Sequence, residues 1–316
     1  MSRQSLPRLD GRTVVVTGGA SGIGYFVAER LAGLGARVIL AVRNPDRAAA
    51  AIRSIGAIVP GADLGVQQLD LADLASVRTA VERLTHAGRI DAVVANAGVI
   101  GYPAGTAAKL PALPSATKDG HELHWGTNHL GHFALVAGLL PALLESGGRV
   151  VHVGSLSHRT VRTAADVVPA PGEEGSALQL YARSKLAAMA FGFTLARRLA
   201  SAGASASSVV VHPGVAVDLL DPVRPGIVRN QPQTRTPGVR TAAALLVQGK
   251  DGGARSAVAA VASPAVGNGD YWGPSRPGQL AGSPGPLRMP SSLVDAAAGE
   301  RLVAVSAELS GSALLV

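Results

Sequence analysis

The chain has 316 residues, 47% of them hydrophobic and 16% charged, with a formal net charge of +8 and no cysteine. This excludes a disordered chain, disulfides, zinc–thiolate sites and a cysteine nucleophile, and it fits a reducing, cytoplasmic setting. The basic residues are scattered, with no run and no interleaved aromatics, so no nucleic-acid partner is expected.

Residues Met1–Gly11 are polar and lack the apolar segment of a leader. Thr13–Thr17 reads as a buried strand. Ile23–Leu34 follows as a helix with Val27, Leu31 and Leu34 on one face. Arg37–Val42 is a second strand and Val66–Leu69 a third, followed by a helix over about Ala72–Ala87. Ile90–Ala95 is a fourth strand. His121–Leu144 is largely helical; its apolar part, Phe133–Leu144, is interrupted by Gly138 and Pro141 and too short for a membrane span. Arg149–Val153, the helix Tyr181–Ala202 and the strand Ser207–His212 complete the series. The strands are apolar throughout and separated by helices, which predicts a doubly wound α/β fold: a parallel sheet with helices on both faces. A single domain over residues 1–316 is expected, with substrate loops near 158–178 and 214–237. The Gly/Pro-rich stretch Gly273–Pro290 should be irregular, within a C-terminal extension over 273–316 that ends in a helix near Leu293–Leu309.

The first strand runs into Thr17-Gly18-Gly19-Ala20-Ser21-Gly22-Ile23-Gly24. Small residues there let the backbone approach a pyrophosphate at a helix N-terminus. Asn96-Ala97-Gly98 ends the fourth strand, Pro213-Gly214 follows the sixth, and Tyr181 and Lys185 stand four apart on one helix face. An ammonium beside a phenol favours the phenolate, so such a pair can exchange a proton with a carbonyl or alcohol oxygen. Five histidines (124, 129, 132, 152 and 158) fall on different elements without a carboxylate at ligand spacing, so no metal site is expected.

These motifs, in this order and each at a strand end or on the long helix, resemble the short-chain dehydrogenase/reductase family over nearly the whole chain. The resemblance implies a Rossmann-type domain and a catalytic tetrad of Asn128, Ser155, Tyr181 and Lys185. Ser155 would orient the substrate oxygen, with Ser157 as the competing assignment, and Asn128 would support Lys185 through water. It implies a dinucleotide held by Gly18, Ser21, Gly22, Ile23, Gly24, Asn96, Ala97, Gly98, Pro213 and Gly214, with Tyr181 and Lys185. Asp70-Leu71 matches the adenine contact, although Asp70 also suits a helix N-cap. An acidic residue at the end of the second strand would select NAD. Val42 stands there instead and Arg43 follows, which with Ser21 implies NADP(H) as cofactor; the competing reading is that Arg43 begins an exposed helix cap.

The long interval from Ser155 to Tyr181, Asn128–Phe133, Val38–Arg43, Gly269–Pro274 and Val305–Gly311 resemble the retinol dehydrogenase and protochlorophyllide reductase-like branch. Val217-Asp218 stands where a Thr commonly contacts the nicotinamide carboxamide, and His152 where Asn is usual. The implied substrate is a small, lipophilic carbonyl compound or alcohol, as in natural-product tailoring. Redox-neutral chemistry on the same scaffold and a non-catalytic dinucleotide-binding regulator are the alternatives. The branch includes monomers and the wider family dimers, so monomer and homo-oligomer both stay open.

Overall fold

A computed structural model describes residues 6–100, 115–161, 175–227, 237–293 and 295–316. Residues 162–174 and 228–236 of the two expected substrate loops lie outside these. The first half alternates β1 (Thr13–Thr17), α1 (Gly22–Gly33), β2 (Arg37–Val42), α2 (Pro45–Ile58), β3 (Leu64–Gln68), α3 (Leu74–His86) and β4 (Ala92–Ala95). Then come α4 (Leu123–Trp125), a π-turn over Gly126–Leu130, α5 (Gly131–Ser146), β5 (Arg149–Val153), α6 (Ala177–Ser201) and β6 (Ser207–Val211). The chain ends with α7 (Pro237–Leu246), α8 (Lys250–Ala262), β7 (Tyr271–Pro274), β8 (Pro284–Leu287) and α9 (Ala296–Ser310).

The eight strands form one sheet in the order β3-β2-β1-β4-β5-β6-β7-β8. All neighbouring pairs are parallel except β7 and β8. Alternate strand residues feed opposite cores. Val15, Ile39, Val93 and Val150 face Phe133, Leu139 and Phe191, while Val14, Val16, Leu40 and Val94 face Phe26, Val27 and Leu31. Both faces are covered, which explains the uninterrupted apolar strands. The strand order reverses between β1 and β4, and a crevice opens there at the carboxyl ends of the strands.

Three features depart from the expectations. The sequence reading leaves residues 43–65 unassigned, yet α2 occupies Pro45–Ile58. Asn44 caps it by accepting from the Asp46 and Arg47 amides, and Ala48, Ala51 and Ile55 are buried along one side. The helical run Leu123–Ser146 passes through Pro141 and reaches 24 residues with mean hydropathy 1.2, so it is long and apolar enough to cross a bilayer by composition. Its apolar window is 78% buried inside the protein. The stretch expected to be irregular holds β8, which pairs antiparallel with β7, Trp272 opposite Pro286 and Pro274 opposite Pro284. Pro284 and Pro286 are tolerated because β8 is an edge strand. The final helix α9 appears where expected; Leu302, Val303 and Ser306 are buried, and Ser306 Oγ lies 2.8 Å from His129 Nε2.

Candidate active site

A cleft of about 630 Å³ occupies the crevice. Its phosphate-loop wall is Gly18, Ser21, Gly22 and Ile23, placed by the β1-to-α1 turn, where Gly22 takes φ +58°. Asn96 braces this turn: its Nδ2 donates to the Thr17 carbonyl at 2.9 Å, and its backbone N–H donates to Thr17 Oγ1 at 2.9 Å. The amides of α2 and α3 are capped by Asn44 and Asp73. By contrast, Ser21 makes no side-chain cap to α1, and α1 has no acidic residue in its first turn. Its orphan N–H groups and positive dipole end therefore face the cleft, a ready site for an anion.

Arg43, Asn44 and Arg47 form the far end of the cleft, with Asp70 and Leu71. Arg43 is exposed and precedes the true cap, Asn44, so it does not begin the helix cap. Among the described residues, no carboxylate lies within ion-pair range of Arg43 or Arg47. Asp70 does not cap a helix either. Its carboxylate accepts from the Ala72 amide at 3.0 Å, and the α3 cap is Asp73. Arg47 is absent from the sequence-based set because it sits on the unrecognised α2; the Asn44-Pro45 cap signature was its available signal.

Asn96, Ala97, Gly98, Pro213, Tyr181 and Lys185 also line the cleft. Gly24 and Gly214 are not among the lining residues. A Cβ at Gly24 would sit 2.4 Å from the Gly18 carbonyl and 2.5 Å from Asn96 Nδ2, so this glycine lets α1 pack under the loop. Gly214 instead packs against the Leu280 carbonyl, 2.3 Å from where its Cβ would be. Gly24→Ala is expected to weaken dinucleotide binding about tenfold or more by overpacking, measured by fluorescence titration. Gly56→Ala, at a helical glycine with nothing within 4 Å, is the control that leaves binding unchanged.

On the catalytic side, α6 opens with a capping box of Ser176 and Gln179 and presents Tyr181 and Lys185 one turn apart. Lys185 is 5% exposed; its Nζ donates to the Val153 carbonyl at 3.0 Å, and burial pushes its pKa down to about 8. Asn128 is no surface amide. It is 1% exposed, in the π-turn, and accepts from the Val99 N–H at 2.8 Å. Its Nδ2 donates to the Val99 carbonyl at 3.1 Å and to Ser184 Oγ at 2.9 Å. Ser184 Oγ in turn donates to the Tyr181 carbonyl at 2.7 Å. Asn128 and Lys185 meet at Gly98, where a Cβ would come within 3.0 Å of Asn128 Oδ1 and 3.4 Å of Lys185 Nζ.

Ser155 directly follows Gly154, which lines the cleft. Ser155 is half-buried and caps the turn Leu156–Thr160, its Oγ accepting from the Ser157 N–H at 3.2 Å. The rival Ser157 has a buried hydroxyl. Asp218 and Lys250, neither in the sequence-based site set, form a largely buried ion pair on the cleft wall. His152 is buried edge-on to Phe191 at 5.2 Å, away from the cleft. Among the described residues, no cluster of three or more His, Cys, Asp or Glu could hold a metal ion. The arrangement therefore joins an anion-binding loop, a polar far end and a phenol–ammonium pair along one crevice.

The comparisons with known proteins agree with this geometry. Residues 12–224 match the family model described as short chain dehydrogenase. Retinol dehydrogenase 11 of Mus musculus is 40% identical over 210 residues, 66% of this chain and 62% of that protein, so the match spans under two thirds of the relative. A crystal structure of an uncharacterized protein from Mycobacterium paratuberculosis is 30% identical, with TM-score 0.75, covering 99% of this chain and 98% of that one. A short chain dehydrogenase from Burkholderia cenocepacia J2315, in complex with NADP, is 27% identical with TM-score 0.58, covering 84% and 96%. With the phosphate loop at the sheet's reversal point and Tyr181 and Lys185 across the crevice from it, the chain belongs to the short-chain dehydrogenase family.

Proposed function

We propose that the protein is an NADP(H)-dependent oxidoreductase acting on the carbonyl or alcohol group of a small, lipophilic substrate. The observation that carries this reading is the buried Lys185 ammonium one helical turn from Tyr181, both on the wall of the crevice that begins at the phosphate loop. A bound nicotinamide dinucleotide would supply or accept the hydride. Tyr181 exchanges the proton with the substrate oxygen, and Ser155 donates a hydrogen bond to that oxygen. Lys185 keeps a positive charge near the phenol, and Asn128 holds the Lys185 side of the site through Val99 and Ser184.

The preference for the phosphorylated dinucleotide is supported by the end of β2, where Val42 and Arg43 replace an acidic residue and Arg47 joins from α2. Two guanidinium groups without carboxylate partners among the described residues suit a 2′-phosphate. The lipophilic substrate class is supported by the retinol dehydrogenase relatives and by Ile100, 46% exposed on the cleft wall. Dinucleotide titration tests the cofactor reading. NADPH is expected to bind much more tightly than NADH, and Arg43→Ala to weaken NADPH about 10- to 100-fold while leaving NADH unchanged. Equal affinities in the wild type would overturn it.

The Asp218–Lys250 pair favours a second reading, redox-neutral chemistry in the same cleft, because a charged pair on the wall can act on a substrate without hydride transfer. The two readings separate on whether NADPH absorbance at 340 nm falls as a carbonyl substrate is consumed.

A further inference from the structure

His132 takes no part in the mechanism proposed above, yet it is 3% exposed and makes two side-chain hydrogen bonds inside the site's supporting shell. Its Nδ1 lies 3.0 Å from the Asn128 carbonyl oxygen, and its Nε2 lies 2.9 Å from Thr17 Oγ1. A carbonyl oxygen only accepts, so Nδ1 carries the proton and Nε2 is left as an acceptor. The Thr17 hydroxyl has two acceptors within reach, Nε2 at 2.9 Å and the Val94 carbonyl at 3.2 Å, and it donates to the nearer, Nε2. The same Thr17 oxygen accepts from the backbone N–H groups of Asn96 and Ala97, each at 2.9 Å.

A continuous buried chain results. It runs from the dinucleotide-cleft floor at Asn96-Ala97, through Thr17 and the imidazole, to the Asn128 backbone. Through Ser184 it continues to the Tyr181 backbone. Asn128 lies in the π-turn over Gly126–Leu130, where the regular i→i−4 ladder is interrupted. Only a fixed tautomer satisfies both ends. Burial, reinforced by Lys185 nearby, holds His132 neutral, its pKa pushed down to about 4.

We propose that His132 is a positioning residue that locks the Asn128 π-turn to the floor of the dinucleotide cleft, coupling cofactor seating to the proton-transfer side. Its catalytic consequence rests on the function proposed above; its tautomer and its link to Thr17 do not.

The test pairs two substitutions. His132→Leu removes both bonds, whereas the amide of His132→Asn can still donate to the Asn128 carbonyl and loses only Thr17. His132→Asn is expected to raise the NADPH Kd about tenfold and leave the pH profile of kcat/KM at its wild-type position. His132→Leu is expected to raise the Kd similarly and also to displace that profile. Combined with Thr17→Val, His132→Asn is expected to be non-additive, the double variant binding NADPH about as the Thr17 variant does. Folding is checked by far-UV circular dichroism. Equal impairment by Leu and Asn, or additivity with Thr17→Val, would show a packing role only and overturn the proposal. Should the Leu variant fail to fold, 15N NMR of the wild-type imidazole at pH 7 decides. A protonated Nδ1 with a bare Nε2 upholds the link, and a protonated Nε2 overturns it. If the wild type binds no dinucleotide, the function reading fails, while the NMR result still judges the tautomer.

Discussion

Tyr181→Phe is expected to lower kcat by ~10²- to 10⁴-fold, the range for removing a positioned general acid or base, while NADPH binding stays within about twofold of wild type. The side chain stands on the cleft wall one helical turn before Lys185, so its hydroxyl is placed for the proton and not for the phosphates. The check is steady-state NADPH oxidation with a panel of hydrophobic aldehydes and ketones, beside a fluorescence titration of NADPH. Retained turnover would remove Tyr181 from the mechanism. Lost turnover together with lost NADPH binding would point instead to a damaged cleft.

The second large effect is on stability in acid. Burial pushes the pKa values of His129 and His152 down to about 3 and those of His132 and His212 down to about 4. In the unfolded chain each titrates near pH ~6.5. Below that pH the unfolded state binds protons that the native state refuses, so native stability falls as the pH drops from about 6.5 towards 4. Between pH 7 and 5 each histidine costs about 2 kcal/mol by this linkage. Asp221 acts in the opposite sense: its pKa, raised to about 6 by burial, returns about 1 kcal/mol over the same interval. The net loss is comparable to the whole stability of an ordinary domain, about 5–15 kcal/mol. Urea unfolding followed at pH 7.5 and pH 5 is expected to show a midpoint lowered by half or more. Two of these histidines, His129 and His152, leave Nδ1 and Nε2 respectively without a partner among the described residues. His152→Phe therefore flattens the acid dependence and costs little at pH 7.5, since it removes an orphaned polar atom beside Phe191. An unchanged midpoint in the wild type would mean that these imidazoles are not held neutral.

Much of the fold was legible in the residues. Thr13–Thr17, Arg37–Val42 and Arg149–Val153 are strands with the expected boundaries, because β-branched runs buried on both faces leave little room for another reading. The phosphate loop and the Tyr181/Lys185 spacing were legible for a related reason: one is a local turn and the other a local helix spacing. Helix α2 was missed because its alanine-rich sequence carries only a weak apolar stripe, Ala48, Ala51 and Ile55. With it went Arg47, at the far end of the cleft.

What the sequence by itself determined was therefore the local part: the apolar strands, the glycine turn at the head of α1, and the phenol and ammonium one turn apart. Tertiary structure decided the rest, because it depends on which distant groups share a buried volume. Only the packed sheet turns Asn128 inward against Val99 and Ser184, packs Gly24 and Gly214 against the Gly18 and Leu280 carbonyls, and brings Lys250 against Asp218 on the cleft wall. It also seats His132 between Thr17 and Asn128, 115 and 4 residues away along the chain. A buried polar group must find its partners wherever the fold brings them, and sequence separation sets no limit on that search.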